Sequence, residues 1–140
     1  MKYDENIVMV IDDDPFMGNL LKGMLRVIGF EQILLHTSPS NALSIIIKTK
    51  IDLVLCDYEM PIVTGLQLIK IIRGLDKERC LAVALSNRSV PAVVVTAHAS
   101  QQIITSAMNA GATGVLVKPT SVKALKDKID GIFLKSMQNT

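Results

Sequence analysis

A chain of 140 residues, 49% of them hydrophobic, is one ordinary domain with a real core, and a net charge of +2 is too small to argue for direct nucleic-acid or membrane-surface binding. No apolar run reaches the length of a membrane span, and Met1-Lys2-Tyr3-Asp4-Glu5 lacks a signal-peptide pattern. The two cysteines have no metal-type spacing, and Cys56 falls in an apolar run, so a reduced, cytoplasmic protein is expected. With no Trp, two Tyr and three Phe, the core is expected to be aliphatic.

Strand and helix patterns then alternate five times. Ile7–Ile11 is a short apolar run and reads as a buried strand. Asp14-Pro15 reads as an N-cap with proline at the first helical position. The helix that follows shows Phe16, Leu20, Met24 and Val27 at helical spacing and stops at Gly29. Gln32–His36 is less uniformly apolar and suits an edge strand. Ser38-Pro39 repeats the cap, and the next helix carries Ala42, Leu43, Ile46 and Ile47. Leu53–Cys56 is the third strand. A helix from near Gly65 shows Leu66, Leu68, Ile69 and Ile72. Ala92–Val95 is the fourth strand, and the helix from about Ser100 carries Ile103, Ile104, Ala107 and Met108. Gly114–Val117 is the fifth strand, and the last helix starts at Ser121 with Val122, Leu125, Ile129 and Phe133 on one face. Such repeats imply an α/β fold with right-handed crossovers and helices on both faces of a parallel sheet. The chain reads as a single domain, 1–140, with its core at about 7–133.

Polar residues follow four of the strands: Asp12-Asp13, Asp57, Thr96 and Lys118-Pro119. Residues just past the C-termini of parallel strands gather in one crevice. Three carboxylates, a hydroxyl and an ammonium are therefore expected at one edge. Clustered carboxylates repel one another unless a cation joins them, and hard oxygen donors suit a divalent ion.

The ordered set resembles the receiver domain of two-component response regulators. It comprises Asp12-Asp13, Asp57-Tyr58-Glu59-Met60-Pro61 with Thr64-Gly65, Thr96-Ala97, Gly111-Ala112 and Lys118-Pro119. The resemblance covers about Ile7 to Phe133. It implies a doubly wound, flavodoxin-like (βα)5 sandwich with strand order 2-1-3-4-5. It also implies a phosphorylation switch in which Asp57 accepts a phosphoryl group. Aspartate can be a carboxylate nucleophile, and the transfer depends on positioning and charge neutralisation. Asp13 is implied as a direct Mg²⁺ ligand, Asp12 as one acting through water, and Asp57 with the Glu59 carbonyl as the remaining ligands. Lys118 is implied to pair with Asp57 at rest and with a phosphoryl oxygen afterwards, and Thr96 to donate to another. Ala97 leaves room for a donor. The Lys118-Pro119 bond is usually cis in this family. The donor is implied to be a histidine kinase or phosphotransfer protein. The readout is a downstream protein or an output domain outside this sequence, and a homodimer is a further possibility.

Three departures bear on function. Val115 stands where the family usually has Tyr or Phe, and a valine has no ring to turn inward. Glu59 and His98 stand two residues after Asp57 and Thr96, where side chains flank the phosphoryl group; they either influence its hydrolysis or simply face solvent. The span from Asp57 to Thr96 is longer than usual, with the extra residues around 76–90. There Leu81, Val83 and Leu85 alternate like a short strand, at the sheet edge opposite Asp57. That segment either tucks onto its own domain or serves a partner. Two other functions compete: a phosphorylation-independent interaction module, and a metal-dependent phosphohydrolase using Glu59 as its second acid.

Overall fold

The structure, a computed structural model, describes residues 2–76 and 85–138. Strands β1 (Ile7–Ile11), β2 (Gln32–His36), β3 (Leu53–Asp57), β4 (Ala92–Thr96) and β5 (Gly114–Val117) form one parallel sheet of order β2-β1-β3-β4-β5. Between and after them lie helices α1 (Pro15–Ile28), α2 (Pro39–Ile46), α3 (Gly65–Arg73), the short α4 (Leu85–Arg88), α5 (Gln101–Asn109) and α6 (Val122–Gln138). No helix among the described residues is long and apolar enough to cross a membrane.

The apolar strands are continuous because both of their faces are covered. Side chains alternate across the sheet. Met9, Ile11, Val54, Cys56 and Val94 face a core shared with Ala42, Ile46, Leu68, Ile69, Ile72 and Ala107 of α2, α3 and α5. Val8, Val10, Leu53, Leu55, Val93 and Val95 face the other core, shared with Leu21, Leu25, Leu125 and Ile129 of α1 and α6.

Most helices begin where the sequence signals them. Asp14 accepts from the Phe16 N–H, Ser38 from Asn41, and Ser100 from Ile103. Thr64 and Gln67 form a reciprocal capping box at the start of α3.

Helix α1 departs from expectation. Its buried residues are Gly18, Leu21 and Leu25, whereas Phe16 and Val27 are 74% and 73% exposed and Leu20 is largely exposed. Two apolar stripes run along this helix one residue apart, and Gly18 lies on the buried side with Leu21 and Leu25. A Cβ on Gly18 would lie 2.7 Å from Leu35 Cδ1, so the helix packs closely on β2 at this glycine. Of the four residues noted at helical spacing, Met24 packs against the core while Phe16, Leu20 and Val27 do not.

The core is also less purely aliphatic and longer than expected. Tyr3, ahead of Ile7, is 1% exposed. Its ring stacks on Phe30 at 4.7 Å and meets Phe133 edge-on at 5.2 Å. Its hydroxyl donates to Asp130, which also pairs with Lys126. Burial and the nearby carboxylate push the Tyr3 hydroxyl pKa up.

The predicted alternation around 81–85 is only partly testable, because Leu81 and Val83 lie outside the described residues. Leu85 opens the one-turn helix α4, not a strand. Asn87 in that turn is fully buried at the sheet edge opposite Asp57. Its Oδ1 accepts from the Ile51 N–H at 2.9 Å, and its Nδ2 donates to the Ile46 and Thr49 carbonyls at 2.7 and 2.6 Å. Arg73 at the end of α3 adds a second tie, donating to the Arg88 carbonyl at 2.9 Å and to the Gly111 carbonyl at 3.0 Å. A polar clamp, rather than a strand, fastens the described part of the long connection to its own domain.

Candidate functional site

Two adjacent strands, β1 and β3, deliver the three acids. Asp57 ends β3 and is 8% exposed; Asp12, just past β1, is 1% exposed; Asp13 beside it is exposed. One carboxylate oxygen from each lies within 4.8 Å of the others. The convergence expected from strand order is therefore present.

The backbone around Asp57 is tightly set. The Tyr58 N–H donates to the Val95 carbonyl at 2.9 Å, extending the β3–β4 ladder past the aspartate. Gly65 N–H donates to the Tyr58 carbonyl at 3.1 Å. A Cβ on Gly65 would fall 2.2 Å from the Asp57 carbonyl oxygen, so the close return of the chain behind Asp57 demands glycine.

Lys118 reaches in from the turn after β5, where the Lys118-Pro119 bond is cis. Its ammonium lies 2.9 Å from Asp57 Oδ1 and 3.4 Å from Asp12 Oδ2. The Asp57 contact is the expected one. The Asp12 contact was not expected and makes the lysine a bridge between two acids. Asp12 Oδ1 is also engaged, accepting from the Asp14 N–H at 2.9 Å.

Burial pushes the Asp57 carboxyl above its ordinary pKa. The Lys118 ammonium pulls it back, the Asp12 charge adds to the rise, and the Glu59 N–H pulls it back further. Burial acts to lower the Lys118 pKa, but its bonds and charges with Asp57 and Asp12 outweigh that and raise it. One cation thus faces three carboxylates, a surplus of negative charge lined by hard oxygen donors. That donor set and its spacing fit a small divalent ion.

Thr96 ends β4 and is 1% exposed. Its hydroxyl donates to the His98 carbonyl and accepts from the His98 N–H, both at 3.2 Å. Val115, half-buried, packs its side chain against the α2–α3–α5 core. Glu59 and His98 are both exposed at the rim. Ile62 had no place in the sequence reading. It lies in the loop beyond Asp57 with φ of 72° and is 95% exposed. A β-branched residue gives no signal for that conformation, so nothing local announced it.

The profile of the response regulator receiver domain matches residues 8–130. The chain is 32% identical over 126 residues to the chemotaxis protein CheY-3 of Vibrio cholerae, covering 90% of each chain. A solved two-component response regulator from Clostridium difficile superposes with a TM-score of 0.78 at 26% identity, covering 94% of this chain and 98% of that one. The receiver domain of a sensor histidine kinase from Pseudomonas aeruginosa, solved with a magnesium ion coordinated in its active-site cleft, has a TM-score of 0.73 at 23% identity, covering 87% and 92%. With the sheet order, the acid cluster and the lysine already in place, these matches make the chain a member of the response regulator receiver domain family.

Proposed function

We propose that Asp57 is the phosphoacceptor of this receiver. The observation that carries the reading is the Lys118 ammonium, 2.9 Å from Asp57 Oδ1, beside an acid cluster whose oxygens lie within 4.8 Å of one another. Asp13, Asp57 and the Glu59 carbonyl would hold Mg²⁺ directly. Asp12 would act through water, in keeping with its existing bonds to Asp14 and Lys118. When bound, the ion neutralises charge on the phosphoryl oxygens.

The chain's own residues then do the following. An Asp57 oxygen attacks phosphorus as the bond from phosphorus to the donor breaks, and the bonding pair leaves with the donor. Lys118 exchanges its carboxylate partner for a phosphoryl oxygen. Thr96 gives up the His98 carbonyl and donates to another phosphoryl oxygen. Ala97, carrying only a methyl group, leaves the approach open. Glu59 and His98 flank the new acyl phosphate and set its lifetime. The chain catalyses only its own phosphorylation and dephosphorylation.

The donor is a histidine kinase or phosphotransfer protein in the cytoplasm, and the readout is a downstream protein or output domain. The test is intact-mass analysis after incubation with acetyl phosphate, with and without Mg²⁺, on the wild type and Asp57→Asn. One added phosphoryl group, dependent on metal and absent from Asp57→Asn, is expected. Unchanged labelling of the variant would sink the assignment.

A further inference from the structure

We propose that the outward face of α1 is a self-association surface, on which a second copy of this chain packs its own α1 antiparallel about a two-fold axis. This surface is independent of the reading of Asp57 as phosphoacceptor.

Phe16, Leu20 and Val27 are 74%, 41% and 73% exposed, and Gly23 among them is exposed too. None of them belongs to either core. Apolar residues scattered singly over a surface are ordinary, but these fall in one row. Their spacing is four, three and four residues, the a/d pattern of a helix–helix seam. At about 100° per residue the row lies almost diametrically opposite Gly18, Leu21 and Leu25, the buried side of the helix. The seam therefore points straight away from its own domain.

The order of residues names the occupant. A four-three-four spacing reads the same in both directions, so the row is complementary to itself. Two antiparallel copies of α1 set Phe16 against the second copy's Val27, and Leu20 against the second copy's Gly23. Nothing inside the domain calls for glycine at 23. A Cβ there would meet no atom within 4 Å, and its φ is not positive. Glycine weakens a helix interior, so its presence has a cost with no intramolecular return. Against a second helix it gives Leu20 a slot and lets the axes approach at the short end of about 8–10 Å. Charge points the same way. Asp13 and Asp14 precede the helix, while Lys22 and Arg26 lie in its second half. Antiparallel pairing brings Arg26 within about one helical turn of the second copy's Asp14. Parallel pairing would stack like charges and set Gly23 on Gly23, leaving a gap. Covering the row and its flanks on both copies removes roughly 800–1,000 Å² of surface in total, which belongs to the weak, reversible class of interface.

The experiment is sedimentation equilibrium of the full chain at concentrations up to about 500 μM, with dimerisation expected at a Kd on the order of 100 μM for so small an interface. Leu20→Lys and Val27→Lys each place an ammonium in the seam and should weaken association roughly tenfold or more. Val27 is 73% exposed, so its replacement leaves the fold intact even where Leu20→Lys does not. In a mixture of isotope-labelled and unlabelled chains, intermolecular NOEs should join the Phe16 ring to the Val27 methyls. Within one helix these residues stand about 16 Å apart, too far for such a contact. A monomer at every concentration would overturn the proposal, as would association that Val27→Lys leaves unchanged. Intermolecular NOEs that join Phe16 to Phe16, or that arise from another face of the domain, would overturn it as well.

Discussion

Thr96 holds the backbone of His98 from both sides, its hydroxyl donating to the carbonyl and accepting from the N–H of the same residue at 3.2 Å. The hydroxyl cannot serve a phosphoryl oxygen and the His98 carbonyl with its one proton. If Thr96 donates to a phosphoryl oxygen as proposed, loading the site releases this loop. With a phosphoryl mimic and Mg²⁺, the His98 amide should show a large NMR shift in the wild type and a small one in Thr96→Ala. Val115 offers no ring to carry the change further, so shifts should fade along β5 and be small on the Lys123–Lys126 turn of α6. Equally large changes across α6 would show that another route carries the signal.

Metal-free Asp57→Asn should be more stable than the wild type at neutral pH. Burial raises the Asp57 pKa in the folded chain, with the Asp12 charge adding to it. The folded state then binds this proton more tightly than the unfolded state does. Stability therefore falls as pH rises from the ordinary carboxylate range through the raised pKa. The asparagine does not titrate and escapes that loss. Urea midpoints in EDTA should favour the variant at pH 7 and converge as pH drops below about 4. Saturating Mg²⁺ should close the gap at pH 7 by stabilising only the wild type. A variant less stable at pH 7 would mean that the Lys118 bridge outweighs the crowding of acids.

Asp13→Asn should weaken Mg²⁺ binding more than Asp12→Asn. Asp12 already spends one oxygen on the Asp14 N–H and the other near Lys118, whereas Asp13 is exposed at the mouth. Calorimetric titration of both variants decides the order. A larger loss at Asp12 would make it the direct ligand.

The strands and the acid set were legible because they depend on short-range pattern. Continuous apolar runs followed by charged residues specify buried parallel strands and a polar edge, whatever the rest of the chain does. Helix caps were legible for the same reason, as with Ser38-Pro39. The inward face of α1 was not, because two apolar stripes satisfied the helical period and the packing that buries Gly18, Leu21 and Leu25 is tertiary. The Lys118–Asp12 contact links residues on separate strands, and strand order alone does not set side-chain distances. Ile62 carries a residue type that argues against its own backbone conformation.

Asn87 was illegible in a different way, since its partners lie in other elements and it sits in no periodic pattern. It is fully buried and saturates one backbone N–H and two carbonyls between α2 and β3. Asn87→Ala leaves the buried Ile51 N–H and Ile46 carbonyl unpaired and takes the partner from the part-buried Thr49 carbonyl. Leaving a buried donor or acceptor unsatisfied costs about 1–3 kcal/mol, so a loss of roughly 2–4 kcal/mol is expected once partial relaxation is allowed. Asn87→Asp should do no better. Its carboxylate keeps the Ile51 N–H but faces the Ile46 and Thr49 carbonyls with no proton to offer. Urea unfolding of both variants measures the loss. The clamp lies at the sheet edge opposite Asp57, so acetyl phosphate labelling of the folded variants at low temperature should proceed at the wild-type rate. A variant with full stability would show that the long connection is held by other contacts. Full stability loss together with slowed labelling would show that the clamp also positions the strands that carry Asp57 and Thr96.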